Sequence, residues 1–224
     1  LALARQGVAV AINYARSEAE AVETARLITE SGGQALPVRA DVAREDEVLA
    51  MVQRVAGAFG GIDLLVNNAG ITRFIPLADL ESVTDEIWDT IFAVNLKGIW
   101  YCSRAVAPHM RARGVGAIVN VTSESGLSGD GSSLPYAVSK AAAIGLTRSL
   151  ARALAPQIRV CSVAPGIVKT RWVAGREAHV ERLTKDALLQ RTATPEDVAA
   201  MICALLSQDA MTGQTIAVNA GSSL

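Results

Sequence analysis

Residues 62–70 read IDLLVNNAG, and this stretch decides the fold. Residues 62–67 form a compact apolar run without the apolar/polar alternation of a half-exposed strand. The strand they predict is therefore covered on both faces, as parallel strands are. It runs directly into Asn68-Ala69-Gly70, where small and turn-forming residues stop it. Residues 116–122 (GAIVNVT) have the same character. Working outward, further strands are predicted at 8–14 (VAVAINY), 34–40, 158–164 (IRVCSVA) and 214–219. Between them lie helical patterns at 17–31, 44–59, 84–113, 136–155 and 195–206, the third broken near 95–98. A short helical run, LALARQ, precedes Gly7.

Strands alternating with helices imply βαβ units and a parallel sheet with helices on both faces. Right-handed crossovers reduce the topology to an α/β, doubly wound, Rossmann-type sheet in three α/β/α layers. No linker, internal repeat or low-complexity segment divides the chain, so residues 1–224 read as one domain. In such sheets ligands bind outside the carboxyl ends of the strands. The residues just past each strand become candidates: Asp41, 67–70, Ser123 and 165–170.

Composition agrees and excludes much else. Of the 224 residues, 50% are hydrophobic and 19% charged, which suits a packed core and not a disordered chain. A formal net charge of −1 with no basic stripe gives no electrostatic case for nucleic acid. No apolar run reaches the roughly 18 residues of a membrane span, and no signal peptide is evident. A cytoplasmic protein is expected. Cys102, Cys161 and Cys203 form no CxxC pair, so neither a disulfide framework nor a metal site is expected.

The chemistry centres on Tyr136-x-x-x-Lys140, a phenol and an ammonium one helical turn apart on the same face. A nearby cation favours the phenolate and would draw the pKa of Tyr136 down towards neutrality, where it could exchange a proton with a substrate oxygen. Alone, the pair reads better as a surface ion or hydrogen-bond pair. It is accompanied by Ser123 in TSESG, Asn95 in VNLKG, Asn67-Asn68-Ala69-Gly70, and Pro165-Gly166-x-x-x-Thr170, each near a strand end or a helix break.

With these motifs in this order, the chain resembles a classical short-chain dehydrogenase/reductase, close to the 3-oxoacyl-(acyl-carrier-protein) reductases. The likeness runs from Leu1 nearly to the C-terminus. It implies an NAD(P)(H)-dependent oxidoreductase that interconverts a ketone and a secondary alcohol by hydride transfer. Tyr136 would be proton donor and acceptor, and Lys140 would lower its pKa and hold the nicotinamide ribose. Ser123 would hold the substrate oxygen, and Asn95 would support a water linking Lys140 to solvent. The resemblance further places Asp41, Val42, Asn67, Ala69 and Gly70 on the adenosine side, and Pro165, Gly166, Ile167 and Thr170 at the nicotinamide carboxamide. Asp41 has a second reading as a cap of the following helix, and Asn67 and Asn68 as caps of theirs.

An acid at the end of the strand at 8–14 would bind a ribose 2′-hydroxyl and favour NAD(H). Instead Arg16 and Ser17 stand there, able to accept a 2′-phosphate, so NADP(H) is favoured and NAD(H) is the alternative. Arg16 also reads as a loop residue facing water. The family's opening strand and Gly-rich TGxxxGxG turn, which seat the pyrophosphate on a helix N-terminus, do not precede Leu1. That strand would lie between those ending at Tyr14 and Asn67. The expectation is a fragment of a protein with roughly fifteen to twenty-five more residues upstream. Near the C-terminus, Asp209-Ala210-Met211-Thr212-Gly213 is shorter than the family's loop, and Val218-Asn219-Ala220-Gly221 replaces a VDGG-like ending.

Substrate choice is expected in the segment from about 172 to 194; the residues in and beside it, Arg171, Trp172, Arg176 and Arg191, do not spell a ligand, though the arginines are compatible with an acidic carrier protein. Two other functions stay open: dehydrogenation of a sugar, steroid or other secondary alcohol, and a truncated non-catalytic scaffold. The resemblance implies a homodimer or homotetramer, in part through the long helices bearing Asn95 and Tyr136, and the Ala-rich stretch 141–155 has the small residues that close helix packing needs.

Overall fold

The computed structural model describes residues 1–175 and 177–222; the side chains of 171, 177–179 and 182–183 are also outside the description. Six strands run β1 (Val10–Tyr14), β2 (Ala35–Arg39), β3 (Leu64–Asn67), β4 (Gly116–Val121), β5 (Ile158–Pro165) and β6 (Thr215–Val218). All pair in parallel, in two sheets, β1-β2 and β3-β4-β5-β6. The expected parallel α/β architecture is present. The continuous sheet is interrupted between β1 and β3, which share no ladder.

The helices are α1 (Glu18–Glu30), α2 (Glu45–Phe59), α3 (Asp85–Phe92), α4 (Gly98–Arg113), α5 (Ser125–Ser128), α6 (Leu134–Leu154), α7 (Glu177–Asp186) and α8 (Pro195–Ser207). Each lies within a residue or two of its sequence pattern, except α5 and α7, which periodicity did not reveal. Gly7, Gly60 and Gly114 end helical segments at positive φ, the left-handed conformation that glycine takes without a Cβ penalty. Thr194 and Asp197 form a reciprocal capping box at the start of α8.

The apolar strand runs are explained by two cores. Ile118, Ile158 and Val160 face α2, α4 and α6 in a cluster with Val48, Val52, Val106, Met110 and Leu150. Their strand neighbours Ala117, Val119, Cys161 and Val163 face the other way, onto Leu205 and Leu206 of α8. Alternate side chains thus enter different layers, and both must be apolar. Val42 packs on the start of α4, where a Cβ on Gly98 would lie 2.9 Å from Val42 Cγ2. Cys102 and Cys161 are buried, and burial pushes the Cys102 thiol up to about 12, which keeps it inert. Among the described residues, no helix is long and apolar enough to cross a membrane.

Candidate active site

The site is assembled beyond the carboxyl end of β4. Thr122 donates to the Val163 carbonyl from both its amide and its hydroxyl, each at 2.8 Å, and the Glu124 amide donates to the Pro165 carbonyl at 2.9 Å. These bonds hold the exits of β4 and β5 together and fix Ser123 between them. Ser123 Oγ accepts the Ser125 amide at 3.1 Å, which leaves its own O–H to donate toward Tyr136 or a substrate oxygen. Ser133 caps α6 and Pro135 occupies its first turn, so Tyr136 enters at the helix start and Lys140 follows one turn later. Both are buried, at 8% and 4% exposure. The short α5 can lie on α6 only because residue 126 is glycine: a Cβ there would sit 2.6 Å from the Lys140 backbone carbonyl carbon.

Asn95 occupies a five-residue π-helical segment, Ala93–Lys97, between α3 and α4. The break expected in the long helical pattern is this widened turn, a feature frequent at functional sites. The segment turns Asn95 fully inward, at 0% exposure. Its Oδ1 accepts the Ile71 amide at 2.8 Å, and its Nδ2 donates to the Ile71 carbonyl and to Ser139 Oγ, each at 3.0 Å. Ser139 in turn donates to the Tyr136 carbonyl at 2.7 Å. Asn95 therefore fastens the loop after β3 to the helix bearing Tyr136. Every hydrogen-bonding position of its amide except one oxygen lone pair is engaged.

The electrostatics differ from the sequence expectation. Burial raises the Tyr136 pKa above its ordinary value, and a hydrogen bond with Ser123 only partly offsets this. Lys140 does not draw it down: its Nζ donates to the Val121 carbonyl at 2.9 Å and stands 5.7 Å from the centre of the Tyr136 ring, over its face. Desolvation lowers the Lys140 pKa to about 8. Two buried, facing groups thus both resist ionisation. The Trp172 ring lies 6.0 Å from that of Tyr136, tilted by 49°, and walls one side of the phenol.

The structure sorts the remaining candidates. Asn67 is turned away from any ligand: its Nδ2 donates to Asn120 Oδ1 at 2.8 Å and Ser103 Oγ at 3.3 Å in a buried network that continues to Thr147. Only its backbone could line the adenosine side. Ala69 and Gly70 follow it at the surface of the site; a Cβ on Gly70 would be 3.5 Å from both Lys140 Nζ and Asn95 Oδ1. Asp41 Oδ1 accepts the Ala43 amide at 3.0 Å in a local turn ahead of α2; the residue at the cap position of that helix is Arg44, so Asp41 is not its cap. Val42 is core. Arg16 and Ser17 are exposed at the start of α1. Pro165, Gly166 and Ile167 are half-buried past β5, and Thr170 is exposed, its Oγ1 accepting the Trp172 amide at 3.3 Å. Arg191 is paired with Asp197, while Arg176 and the Arg171 side chain lie outside the described residues.

Three participants were missed in the sequence: Ser139, Trp172 as a neighbour of Tyr136, and Glu124. Ser139 carried a usable signal, being one turn after Tyr136 on the same helix face. Glu124 adjoins Ser123 in the chain, but its contacts with the loop after β5 and with Ser222 are tertiary, as is the approach of Trp172 to Tyr136.

Residues 1–223 match a family model described as enoyl-(acyl carrier protein) reductase. The 3-oxoacyl-(acyl-carrier-protein) reductase of Staphylococcus epidermidis is 38% identical over 99% of this chain and 91% of its own. A short-chain dehydrogenase/reductase homologue of Bacillus subtilis is 54% identical over 58% of this chain and its own full length. Among solved structures, a gluconate 5-dehydrogenase from Burkholderia cenocepacia in complex with NADP and tartrate superposes with a TM-score of 0.91 at 32% identity, covering 99% of this chain and 88% of that one.

Proposed function

Because the chain belongs to the short-chain dehydrogenase/reductase family, oxidoreductases acting on alcohol and carbonyl groups, we propose that it reduces a 3-oxoacyl group with NADPH. The observation that carries this reading is the convergence of Ser123, Tyr136 and Lys140 past β4, braced by Asn95 through Ser139. The donor set fits a nicotinamide nucleotide. Lys140 spends one N–H on Val121 and keeps two, beside Gly70, for a ribose diol. When bound, the nucleotide supplies the hydride.

The rest is the work of the chain. Ser123 donates a hydrogen bond to the substrate oxygen as negative charge develops there. Tyr136 delivers the proton: its raised pKa keeps it protonated at neutral pH, the state a proton donor requires. Lys140, still largely cationic below its pKa of about 8, holds the ribose through its two remaining N–H groups. Arg16 and Ser17 accept the 2′-phosphate of NADPH, with Asp41, Val42, Ala69, Gly70 and the Asn67 backbone around the adenosine. Pro165, Gly166, Ile167 and Thr170 face the carboxamide.

A second copy would pack on α4 and α6, where Trp100 and Val138 are exposed. The gluconate 5-dehydrogenase bound to NADP supports a second reading, a hydroxylated ketone or secondary alcohol as substrate.

The test mixes intact protein with NADPH and either acetoacetyl-coenzyme A or a keto sugar acid, and follows loss of the reduced nucleotide. Turnover only with the thioester supports the first substrate and only with the sugar acid the second. Oxidation of neither, with no nucleotide bound, sinks the assignment. Equal affinity for NADPH and NADH would sink the choice of cofactor.

A further inference from the structure

We propose that Glu124 sets a negative charge beside the nicotinamide end of the site and so favours the oxidised, cationic form of the nucleotide over the reduced, neutral one. The inference rests on the reading above, in which Pro165 and Gly166 flank the nicotinamide. Glu124 immediately follows Ser123, and its amide is tied to the Pro165 carbonyl at 2.9 Å. Its carboxylate turns toward the same loop: Oε2 lies 2.8 Å from where a Cβ on Gly166 would stand. The side chain is half-buried, so its field is only partly screened.

The carboxylate is held there from the far end of the chain. Ser222 donates its hydroxyl to the two carboxylate oxygens, at 2.9 and 2.7 Å. Ser222 belongs to a tight C-terminal turn, its amide bonded to the Asn219 carbonyl at 3.1 Å. That turn meets the loop after β5 as well: the Gly166 amide donates to Val218, and a Cβ on Gly166 would approach Asn219 Cα to 3.0 Å. Among the described residues no Lys or Arg side chain reaches Glu124, and its described side-chain hydrogen bonds come from a neutral hydroxyl. Among the described residues the carboxylate is therefore oriented by a neutral partner, with no cation paired to it. A carboxylate so held attracts a pyridinium ring and is indifferent to a dihydropyridine.

Equilibrium dissociation constants for NADP+ and NADPH on the intact protein test this, in wild type, Glu124→Gln, Glu124→Asp and Ser222→Ala. Glu124→Gln is expected to weaken NADP+ relative to NADPH by about tenfold, the scale of one nearby charge in a half-buried site. Glu124→Asp restores most of the ratio. Ser222→Ala keeps the charge, so it loosens both nucleotides by a similar factor and leaves the ratio within about twofold of wild type. An unchanged ratio in Glu124→Gln, with both nucleotides bound, overturns the proposal while leaving the function intact. Wild type that binds neither nucleotide overturns the function itself. Should Glu124→Gln fail to fold, Glu124→Val serves the same comparison.

Discussion

The corner around Tyr136 and the corner around Arg16 serve one proposed ligand yet are built in opposite ways. Asn95, Ser139, Tyr136 and Lys140 are buried, and hydrogen bonds through them link the loop after β3, the end of β4 and α6. Arg16 and Ser17 are exposed at the start of α1, with no hydrogen bond or ion pair from their side chains to the described residues. The first corner is preorganised by the fold, which is what proton transfer needs. The second is surface charge that gains its partner only from a ligand. Mutations in the first should cost turnover or stability, and in the second affinity alone.

The largest effect expected is in turnover. Tyr136→Phe removes one oxygen and should lower kcat by about 10²- to 10⁴-fold, the usual worth of a positioned acid. Nucleotide affinity, measured on the same variant, should stay within about threefold. Full turnover would refute the proton donor. Asn95→Ala deletes three hydrogen bonds, one buried and two part-buried, and leaves both polar groups of Ile71 without that partner, so chemical denaturation should show a loss of roughly 3 kcal/mol. A loss below about 1 kcal/mol would show that the π-helical segment holds the loop without it.

Lys140 sharpens the contrast through pH. Its folded pKa of about 8 lies below the ordinary 10.5. Between those values the unfolded chain binds more protons, so stability rises with pH, by about 2 kcal/mol from about pH 7 to about pH 10. Above about 10 the raised pKa of Tyr136 acts in the opposite sense, since the folded chain keeps a proton that the unfolded chain releases. Denaturation across this range should show the rise, and Lys140→Met should flatten it. A wild-type curve already flat there would mean that the ammonium is better solvated than its burial implies.

At the exposed corner, Arg16→Ala should weaken NADPH by about tenfold, leave NADH unchanged, and move stability by less than about 0.5 kcal/mol. Equal weakening of both nucleotides would place Arg16 away from the 2′-phosphate.

These contrasts also mark what could be read without a fold. IDLLVNNAG, GAIVNVT and IRVCSVA announced parallel strands because a chain segment covered on both faces has to be apolar throughout. The helix from Tyr136 and the break at Asn95 were legible because helical periodicity, and its failure, are local properties. α7 stayed hidden in a polar stretch, and α5 is too short to have a period.

The residue types and spacing of Ser123, Tyr136 and Lys140 were likewise set by the sequence. Three things were decided only by tertiary structure. Asn67 points into the core because β4, α4 and α6 bring Asn120, Ser103 and Thr147 beside it. The Tyr136 pKa is raised because burial is a property of the assembled layers, and it outweighs the Ser123 hydrogen bond. Glu124 and Ser222, 98 residues apart, meet because β4 and β6 end on the same side of one parallel sheet. A pattern along the chain records which groups are available; desolvation and contact depend on what lies across the fold, and no local spacing encodes that.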